Sequence, residues 1–327
     1  MKKLISVILS LLMIASLFAG CASDGVSANN STELKVAIIQ QLDHSSLDEI
    51  RTAIEAQLTA LAEEQGLTVK FSYDNGQNDT SMLSQIATQV VADQPDIIIP
   101  IATLAAQYAV TAAEGTDIPI VYAACSDPES AGLTGLATVT GVSDALNTPF
   151  ILDMMLAAQP DIKTVGLLYS NSEINSATPI AEAKAYLDAK GIAYLEKTGT
   201  TSGEIIEATA SMVGLVDAVF TPTDNAVMAA EASVAEMLNN AGIPHYTGAD
   251  SFVQSGAFVT CGVNYTELGT KTADMAFEIL MGGTIGEFHV MEGGIITVNT
   301  DTAKATGIDY SVFATMANTV KEVVTGE

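Results

Sequence analysis

The chain of 327 residues has no tryptophan, three cysteines, three histidines and only 12 lysines and arginines. Because histidine and cysteine supply many transition-metal ligands, their scarcity argues against a metal site. Asp224 and Asp250 are a possible carboxylate pair, but without tryptophan to hold a sugar ring they do not indicate a glycosidase. The 39 acidic residues give a net charge of -27, which repels phosphate groups. We therefore expect no nucleic-acid partner and no metal.

Catalytic motifs are also missing from the sequence. It contains no Gly-x-Ser-x-Gly, no phosphate-binding loop with lysine, no Gly-x-Gly-x-x-Gly after a strand and no His-Glu-x-x-His. A lone histidine such as His44, between a strand and a helix, is more typical of a helix cap or a binding contact than of a catalytic base. The sequence therefore favours a protein that binds, is not an enzyme and needs no cofactor.

The N-terminus has the pattern of an export signal. Met1-Lys2-Lys3 precedes an apolar run from Leu4 to Phe18, which is shorter than the roughly 20 residues of a transmembrane helix. The following Ala19-Gly20-Cys21 resembles a bacterial lipobox, in which cleavage after the glycine leaves an acylated cysteine. We expect a signal peptide at 1–20, a tether at 21–33 and an extracytoplasmic protein anchored to the membrane by a lipid on Cys21. The alternatives are an ordinary cleavage site and a retained membrane anchor.

Short β-rich runs alternate with helical patterns along the rest of the chain, which is typical of parallel sheets covered on both faces. The predicted strands are Lys35–Gln40, Thr68–Tyr73, Asp96–Ile101, Pro119–Ala123, Thr164–Tyr169, Ala193–Glu196, Ala218–Thr221 and Pro244–Thr247. Apolar residues spaced by three and four predict intervening helices, one of them continuous through Val227, Ala230, Val234 and Leu238.

The two halves of this pattern resemble each other. Lys35-Val-Ala-Ile-Ile-Gln matches Lys163-Thr-Val-Gly-Leu-Leu-Tyr, and Asp96-Ile-Ile-Ile-Pro matches Asp217-Ala-Val-Phe-Thr-Pro, at similar offsets. The repeat predicts two similar α/β lobes, each with a doubly wound parallel sheet. Because such sheets bind ligands at the carboxyl ends of their strands, we expect a binding cleft where the two edges face each other.

The loops after these strands resemble the substrate-binding proteins of ABC importers related to tryptophan and tyrosine uptake systems. The resemblance covers about Lys35 to Gly283. It rests on short motifs that keep their order: the His44 segment with Leu47-Asp48, Ala102-Thr103-Leu-Ala-Ala-Gln107, Ile118-Pro-Ile-Val-Tyr with Asp127-Pro128, Thr140-Gly-Val-Ser-Asp144, Glu173-Ile-Asn-Ser176, Pro222-Thr-Asp-Asn225 and Leu268-Gly269. The Pro-Gly-Gly-Asn-like turn usual before Thr-Gly-Val-Ser-Asp is absent here.

The resemblance implies a type I periplasmic-binding fold whose chain crosses between lobes three times, near Val142, Gly262 and Gly293. Lobe 1 would then comprise 34–142 plus 262–292, and lobe 2 would comprise 143–261 plus 293–327. It also implies a monomer that binds an amino acid, with an aromatic one favoured, and delivers it to an ABC permease and ATPase. A surface sensor for a membrane receptor, and a nucleoside, sugar or short peptide as ligand, are the alternatives.

Within this cleft a zwitterion needs a carboxylate for its ammonium and hydroxyl or helix N-terminal N–H groups for its carboxylate. We expect Asp250 to accept the ammonium, assisted by Glu173 or Asp144, and Thr103 to bind the carboxylate. Helix capping is the alternative role for Thr103 and Asp224. The remaining candidate ligand-binding residues are His44, Asp127, Ser143, Asn175, Asp224 and Asn225. Outside the cell Cys125 and Cys261 could pair, and the sequence leaves this open.

Overall fold

The computed structural model describes residues 32–326, so the predicted signal peptide, Cys21 and most of the tether lie outside the described residues. Six strands form the first sheet, in the order β11-β5-β4-β3-β1-β2. They are β1 (Glu33–Gln40), β2 (Thr68–Asn75), β3 (Ile97–Ile101), β4 (Ile120–Ala123), β5 (Val139–Ser143) and β11 (His289–Val290). The pairs β1–β3, β3–β4, β4–β5 and β5–β11 are parallel. Strands β3 and β4 are buried on both faces, as their continuous apolar sequences predict.

Helices cover this sheet. They are α1 (Ser45–Glu64), α2 (Thr80–Ala92), α3 (Thr103–Ala112) and α10 (Tyr265–Leu280). The apolar residues Leu47, Ile50, Ile54 and Leu58 put one buried face on α1. On α10, a Cβ at Gly269 would lie 2.5 Å from the carbonyl oxygen of Ile50, so glycine lets α10 pack closely against α1. The late helix α10 thus belongs to the lobe that begins the chain.

Seven strands form the second sheet, in the order β13-β12-β10-β9-β8-β6-β7. They are β6 (Thr164–Tyr169), β7 (Ala193–Thr198), β8 (Ala218–Thr221), β9 (His245–Thr247), β10 (Val259–Gly262), β12 (Ile295–Asn299) and β13 (Thr319–Val323). Within residues 32–326, the pair β10–β12 is antiparallel, and the pairs β9–β10, β12–β13, β6–β7, β6–β8 and β8–β9 of this sheet are parallel. Its helices are α4 (Thr148–Ala158), α5 (Ala177–Lys190), α6 (Ser202–Ala210), α7 (Asn225–Met228), α8 (Glu231–Asn240), α9 (Asp250–Gln254) and α11 (Thr300–Thr306).

The chain passes between the two sheets three times: between β5 and β6, between β10 and β11, and between β11 and β12. The predicted fold class, two parallel-sheet α/β lobes, is confirmed. All eight predicted strands are present, with ends within two residues of the prediction. None of the described helices is both long and apolar enough to cross a bilayer.

Two features differ from the sequence-based expectation. The helix predicted through Val227 to Leu238 is broken between α7 and α8 at Ala229 and Ala230, although the apolar spacing continues across the break. Five strands, β5 and β10 to β13, were not predicted; glycine at 141 in β5 and at 262 in β10 weakens the β pattern there. The thiols of Cys125 and Cys261 are buried and free.

Candidate functional site

A cleft lies between the strand ends of the two sheets. The space within it that protein atoms leave empty is about 370 Å³, including its mouth. The part of this space that a water-sized sphere can enter is only about 30 Å³, far below the roughly 300–1,000 Å³ typical of small-ligand pockets, so the lobes must part further to admit a ligand. Its lining comes from both lobes: His44, Ser46, Leu47, Ala102, Thr103, Ala124, Ser126, Asp144, Asn175, Thr223, Asn225, Met228, Ala249, Phe252 and Tyr265.

The first turn of α3 forms part of the cleft wall on the side of the first lobe. Thr103, the first residue of α3, is buried. Ala102 before it has φ 75° and ψ 162°, and Ala124 has φ 54°. Both are left-handed conformations that a residue with a Cβ rarely adopts, and such strain is concentrated at functional sites. The positive end of the helix dipole suits the start of α3 to a carboxylate.

Asp144 is the carboxylate that lines the cleft. Its Oδ1 accepts a hydrogen bond from Ser126 Oγ at 2.9 Å, and Ser126 Oγ lies 2.8 Å from Thr223 Oγ1 of the other lobe. Burial raises the pKa of Asp144, and the hydrogen bond from Ser126 partly opposes this increase. Among residues 32–326 no lysine, arginine or histidine forms an ion pair with it. A buried carboxylate without a cation is costly, so the site is suited to a ligand that brings positive charge.

His44 and Asn175 line the cleft, and each has a buried polar atom without a hydrogen-bond partner. Neither His44 Nδ1 nor Asn175 Oδ1 has a hydrogen-bond partner in the described structure, although Asn175 Nδ2 donates to the Thr223 carbonyl at 2.8 Å. Burial lowers the pKa of His44 to about 4, against the opposing effect of a hydrogen bond with Asn225. The imidazole is therefore neutral near pH 7. Unpaired buried polar groups in a cleft indicate positions at which a ligand completes the hydrogen bonding.

Behind the cleft wall, Glu173 joins the two lobes. Its Oε1 accepts from Gln41 Nε2 at 2.8 Å and its Oε2 accepts from Asn225 Nδ2 at 3.0 Å. Gln41 Oε1 in turn accepts from the backbone N–H of Leu104 in α3, at 3.1 Å. Burial, and then the negative charge of Asp224, raise the pKa of Glu173 to about 8. This network connects residues on both walls of the cleft.

Further hydrogen bonds close the lobes on each other. In each, a serine or threonine hydroxyl donates to a carboxylate or amide oxygen. They link Ser45 with Gln254 at 2.5 Å, Ser46 with Asp250 at 2.8 Å and Thr178 with Asp127 at 2.6 Å.

Five of the ten predicted ligand-binding residues line the cleft: His44, Thr103, Asp144, Asn175 and Asn225. The other five do not: Asp127, Ser143, Glu173, Asp224 and Asp250. Asp127 lies in a neighbouring depression, and Ser143 donates to the carbonyl oxygen of Ser126 at 3.3 Å.

The structure gives Asp224 and Asp250 supporting positions. Asp224 caps α7 by accepting from the N–H of Val227 at 3.0 Å, and it also accepts from Ser170 N and Ser176 Oγ, each at 2.7 Å. Asp250 opens α9 and accepts from Ser46 Oγ, which does line the cleft. The expected ammonium acceptor thus lies one residue away from the cleft surface.

The apolar residues that line the cleft were not predicted from the sequence. Phe252, Met228, Leu47 and Tyr265 lie on helices whose buried positions look like ordinary core. Their position in the cleft depends on how the lobes meet, which no local pattern encodes. The positive φ angles of Ala102 and Ala124 could not be predicted either, since alanine, unlike glycine, rarely adopts such a conformation.

Comparison with known proteins agrees with this architecture. The family model described as "ABC transporter substrate binding protein" matches residues 35–320. The chain is 32% identical over 319 residues to a tyrosine-binding protein of Clostridioides difficile, covering 93% of this chain and 92% of that protein.

Two solved structures show the same fold. A domain from Streptococcus pneumoniae in complex with L-Trp has a TM-score of 0.81 and 30% identity, covering 88% of this chain and 99% of that one. The ligand-free, open structure of a substrate-binding protein with adhesive properties from Clostridium difficile has a TM-score of 0.67 and 32% identity, covering 89% and 99%. The chain therefore belongs to the family of ABC transporter substrate-binding proteins.

Proposed function

We propose that this substrate-binding protein takes up an aromatic amino acid in the interlobe cleft and delivers it, as a monomer, to an ABC permease and ATPase. The observation that carries the proposal is the pairing of Asp144, a buried carboxylate without a cation, with the N-terminus of α3 in one cleft. A zwitterion satisfies both at once, because its ammonium offsets the carboxylate and its carboxylate meets the helix dipole. Tyrosine and L-Trp as ligands of the relatives support the aromatic class.

The ligand's parts fit different sides of the cleft. The ammonium lies against Asp144, with Asn175 Oδ1 as a second acceptor, and the carboxylate lies against Thr103 at the positive end of the α3 dipole, where the N–H of Leu104 is already bound to Gln41. Asp144 thereby takes the role first expected of Asp250. The side chain occupies the apolar part of the lining that includes Phe252 and Met228. Such a mixture of apolar surface and a few placed polar groups is typical of ligand pockets.

We also propose that the lobes open and close about the three crossings, with lobe 1 at 34–142 plus 262–292 and lobe 2 at 143–261 plus 293–327. The interlobe hydrogen bonds support a closed arrangement. The higher TM-score to the L-Trp complex than to the open, ligand-free structure agrees with it. Each interlobe bond contributes only about 1 kcal/mol, so a ligand that binds the closed form more tightly can shift the open–closed equilibrium towards the closed form.

We expect L-tyrosine or L-tryptophan to raise the melting temperature of the protein in a thermal-shift screen of amino acids, sugars and nucleosides. A ligand at 100 times its dissociation constant adds about 2.7 kcal/mol of stability. The same ligand should shrink the particle in small-angle X-ray scattering, because closure brings the lobes together. A response to sugars or nucleosides, with none to amino acids, would contradict the ligand class.

We further propose that Cys21 carries the lipid that holds the protein at the membrane surface outside the cytoplasm, and that 1–20 is removed. The support is the sequence Leu17-Phe-Ala-Gly-Cys21 after a short apolar run. Two or more acyl chains give stable anchoring. Cys21→Ser should move the protein from the membrane fraction to the soluble fraction, whereas Cys125→Ser, at a buried thiol, should leave fractionation unchanged. A Cys21→Ser protein that is cut after Gly20 and still pellets with membranes would refute the anchor.

A further inference from the structure

A second pocket lies at the three chain crossings, and we call it the hinge pocket. Its lining includes 144–147 after β5, 262–263 at the end of β10 and 293–294 before β12, together with 316–318 of the second lobe. A water-sized sphere can enter about 400 Å³ of it, against about 30 Å³ in the cleft. This volume lies within the roughly 300–1,000 Å³ typical of small-ligand pockets. The hinge pocket can therefore hold a ligand with the lobes as they stand.

Glycine keeps the hinge pocket open. Neither Gly262 nor Gly293 has a positive φ angle, so the backbone conformation does not require glycine at either position. A Cβ at Gly293 would lie 3.6 Å from the carbonyl oxygen of Gly262, and a Cβ at Gly262 would lie 3.7 Å from that of Gly248, both ordinary contact distances. Because Gly248 and Gly262 themselves line the pocket, a side chain at either position would take up space that the glycines leave free.

Two polar residues, Asp144 and Tyr265, line both the hinge pocket and the cleft. Asp144 is 6% exposed and has no cationic partner within residues 32–326. Tyr265 is 4% exposed, and its hydroxyl makes no hydrogen bond to another described residue. A carboxylate and a phenol oxygen both accept hydrogen bonds from an ammonium group, and the carboxylate also offsets its charge.

The rest of the hinge pocket favours an apolar body over an anion. Leu146, Phe150, Val263 and Met316 line it, and no lysine, arginine or histidine of the described chain does. The start of α4 is close by, but there Asn147 Oδ1 already accepts from the N–H of Phe150 at 3.2 Å, and proline occupies one of the first two positions of the helix. A ligand carboxylate would therefore find little to bind it here.

We propose that the hinge pocket is a second ligand site, which takes a small primary amine with an apolar body and no carboxylate. The ammonium lies against Asp144 and Tyr265, and the body lies against Leu146, Phe150 and Met316. Because Asp144 also lines the cleft, the amine and an amino acid in the cleft compete for one carboxylate. The amine therefore lowers the affinity for the amino acid, and by linkage the reverse holds. The site is independent of the proposed function, and only this competition rests on it.

The test is calorimetric titration of the full-length protein with cyclohexylmethylamine and with cyclohexylmethanol, a neutral molecule of the same shape. We expect the amine to bind at least about 10-fold more tightly, because its hydrogen bonds to the carboxylate are charge-assisted. Asp144→Asn should reduce this ratio to about one. Gly293→Val should weaken both probes by at least about 10-fold, since the added side chain fills the pocket. Gly286→Val, at an exposed glycine with open space around an added Cβ, is the matched control and should bind both as before.

A further variant separates the hinge pocket from the cleft. Met228 lines the cleft and does not line the hinge pocket, so Met228→Trp should weaken L-tyrosine and leave cyclohexylmethylamine unchanged. In the unmodified protein the amine at 100 times its dissociation constant should raise the apparent dissociation constant of L-tyrosine by about 100-fold. Melting curves check the folding of each variant. If Gly293→Val does not fold, Ala317→Phe fills the same pocket from the second lobe.

The outcomes separate the two proposals. Equal affinity for the amine and the alcohol would show that the pocket does not select a cation. Amine binding that survives Gly293→Val and is lost in Met228→Trp would place the amine in the cleft, and the second site would be wrong. If the amine and L-tyrosine bind together without competition, Asp144 is not shared between the sites. If the amine binds as expected and no amino acid binds, the hinge site stands and the proposed function fails.

Discussion

Replacing Asp144 by asparagine is expected to weaken binding of an amino acid by roughly 30- to 5,000-fold, while the ligand-free protein becomes more stable. Losing one partner of a desolvated charge pair costs about 2–5 kcal/mol of binding, which gives that range. Without ligand the same carboxylate is buried with no cation, and its pKa is raised by burial, so removing it relieves a cost. Calorimetry and melting of the ligand-free protein measure the two opposite effects.

Asp250→Asn is the matched control, because Asp250 is also a largely buried aspartate whose pKa burial raises, yet it does not line the cleft. It should lose at most the interlobe bond to Ser46, about 1 kcal/mol, and bind with an affinity within about 10-fold of the unmodified protein. The reverse pattern, in which Asp250→Asn loses the ligand and Asp144→Asn keeps it, would restore the first expectation for Asp250 and refute the role given to Asp144.

The contrast between these two aspartates shows what the sequence could predict. Parallel strands end at one edge of a sheet, so strand ends alone placed His44, Thr103 and Asn225 near a common cleft. If the helix after a strand begins one or two residues earlier or later, a different side chain of the strand-end loop faces the ligand. Asp250 opens α9 and turns to Ser46 of the other lobe, a contact that spans 204 residues of chain. No local spacing encodes such a contact.

The fold was more predictable than the cleft for the same reason. Strands such as β3, with the sequence Ile-Ile-Ile-Pro-Ile, are buried on both faces, and their apolar runs are visible without knowing the partner strand. Phe252 and Met228 are apolar too, but they contribute to a surface that exists only when the two lobes meet. Local chemistry thus determines the lobes, and the geometry between them determines the ligand contacts.

Glu173 connects closure to protonation. It accepts from Gln41 of one lobe and Asn225 of the other, and burial beside Asp224 raises its pKa to about 8. A carboxyl group whose pKa is higher in the folded than in the unfolded state binds more protons when folded, over the interval between the two pKa values. The free energy of unfolding therefore falls as the pH rises from the ordinary glutamate pKa of 4.5 towards 8.

Glu173→Gln is expected to remove the part of the pH dependence of the unfolding free energy that comes from Glu173, because glutamine has no proton to lose. Each unit by which the pKa of Glu173 is raised corresponds to about 1.4 kcal/mol. The variant should therefore gain stability over the unmodified protein progressively from pH 5 to pH 8, even if it is slightly less stable at pH 5. Urea denaturation at a series of pH values measures the difference.

The buried acids Asp144, Asp224 and Asp250 also have raised pKa values, so they contribute to the pH dependence of stability in both proteins. The informative quantity is therefore the difference in unfolding free energy between the unmodified protein and Glu173→Gln at each pH. Glu182→Gln, at an exposed glutamate of α5, makes the same chemical change without burial and should leave the pH dependence unaltered. A Glu173→Gln curve parallel to that of the unmodified protein from pH 5 to pH 8 would mean that Glu173 is ionised throughout this range. The hydrogen bonds from Gln41 and Asn225 would then outweigh the effect of burial on its pKa.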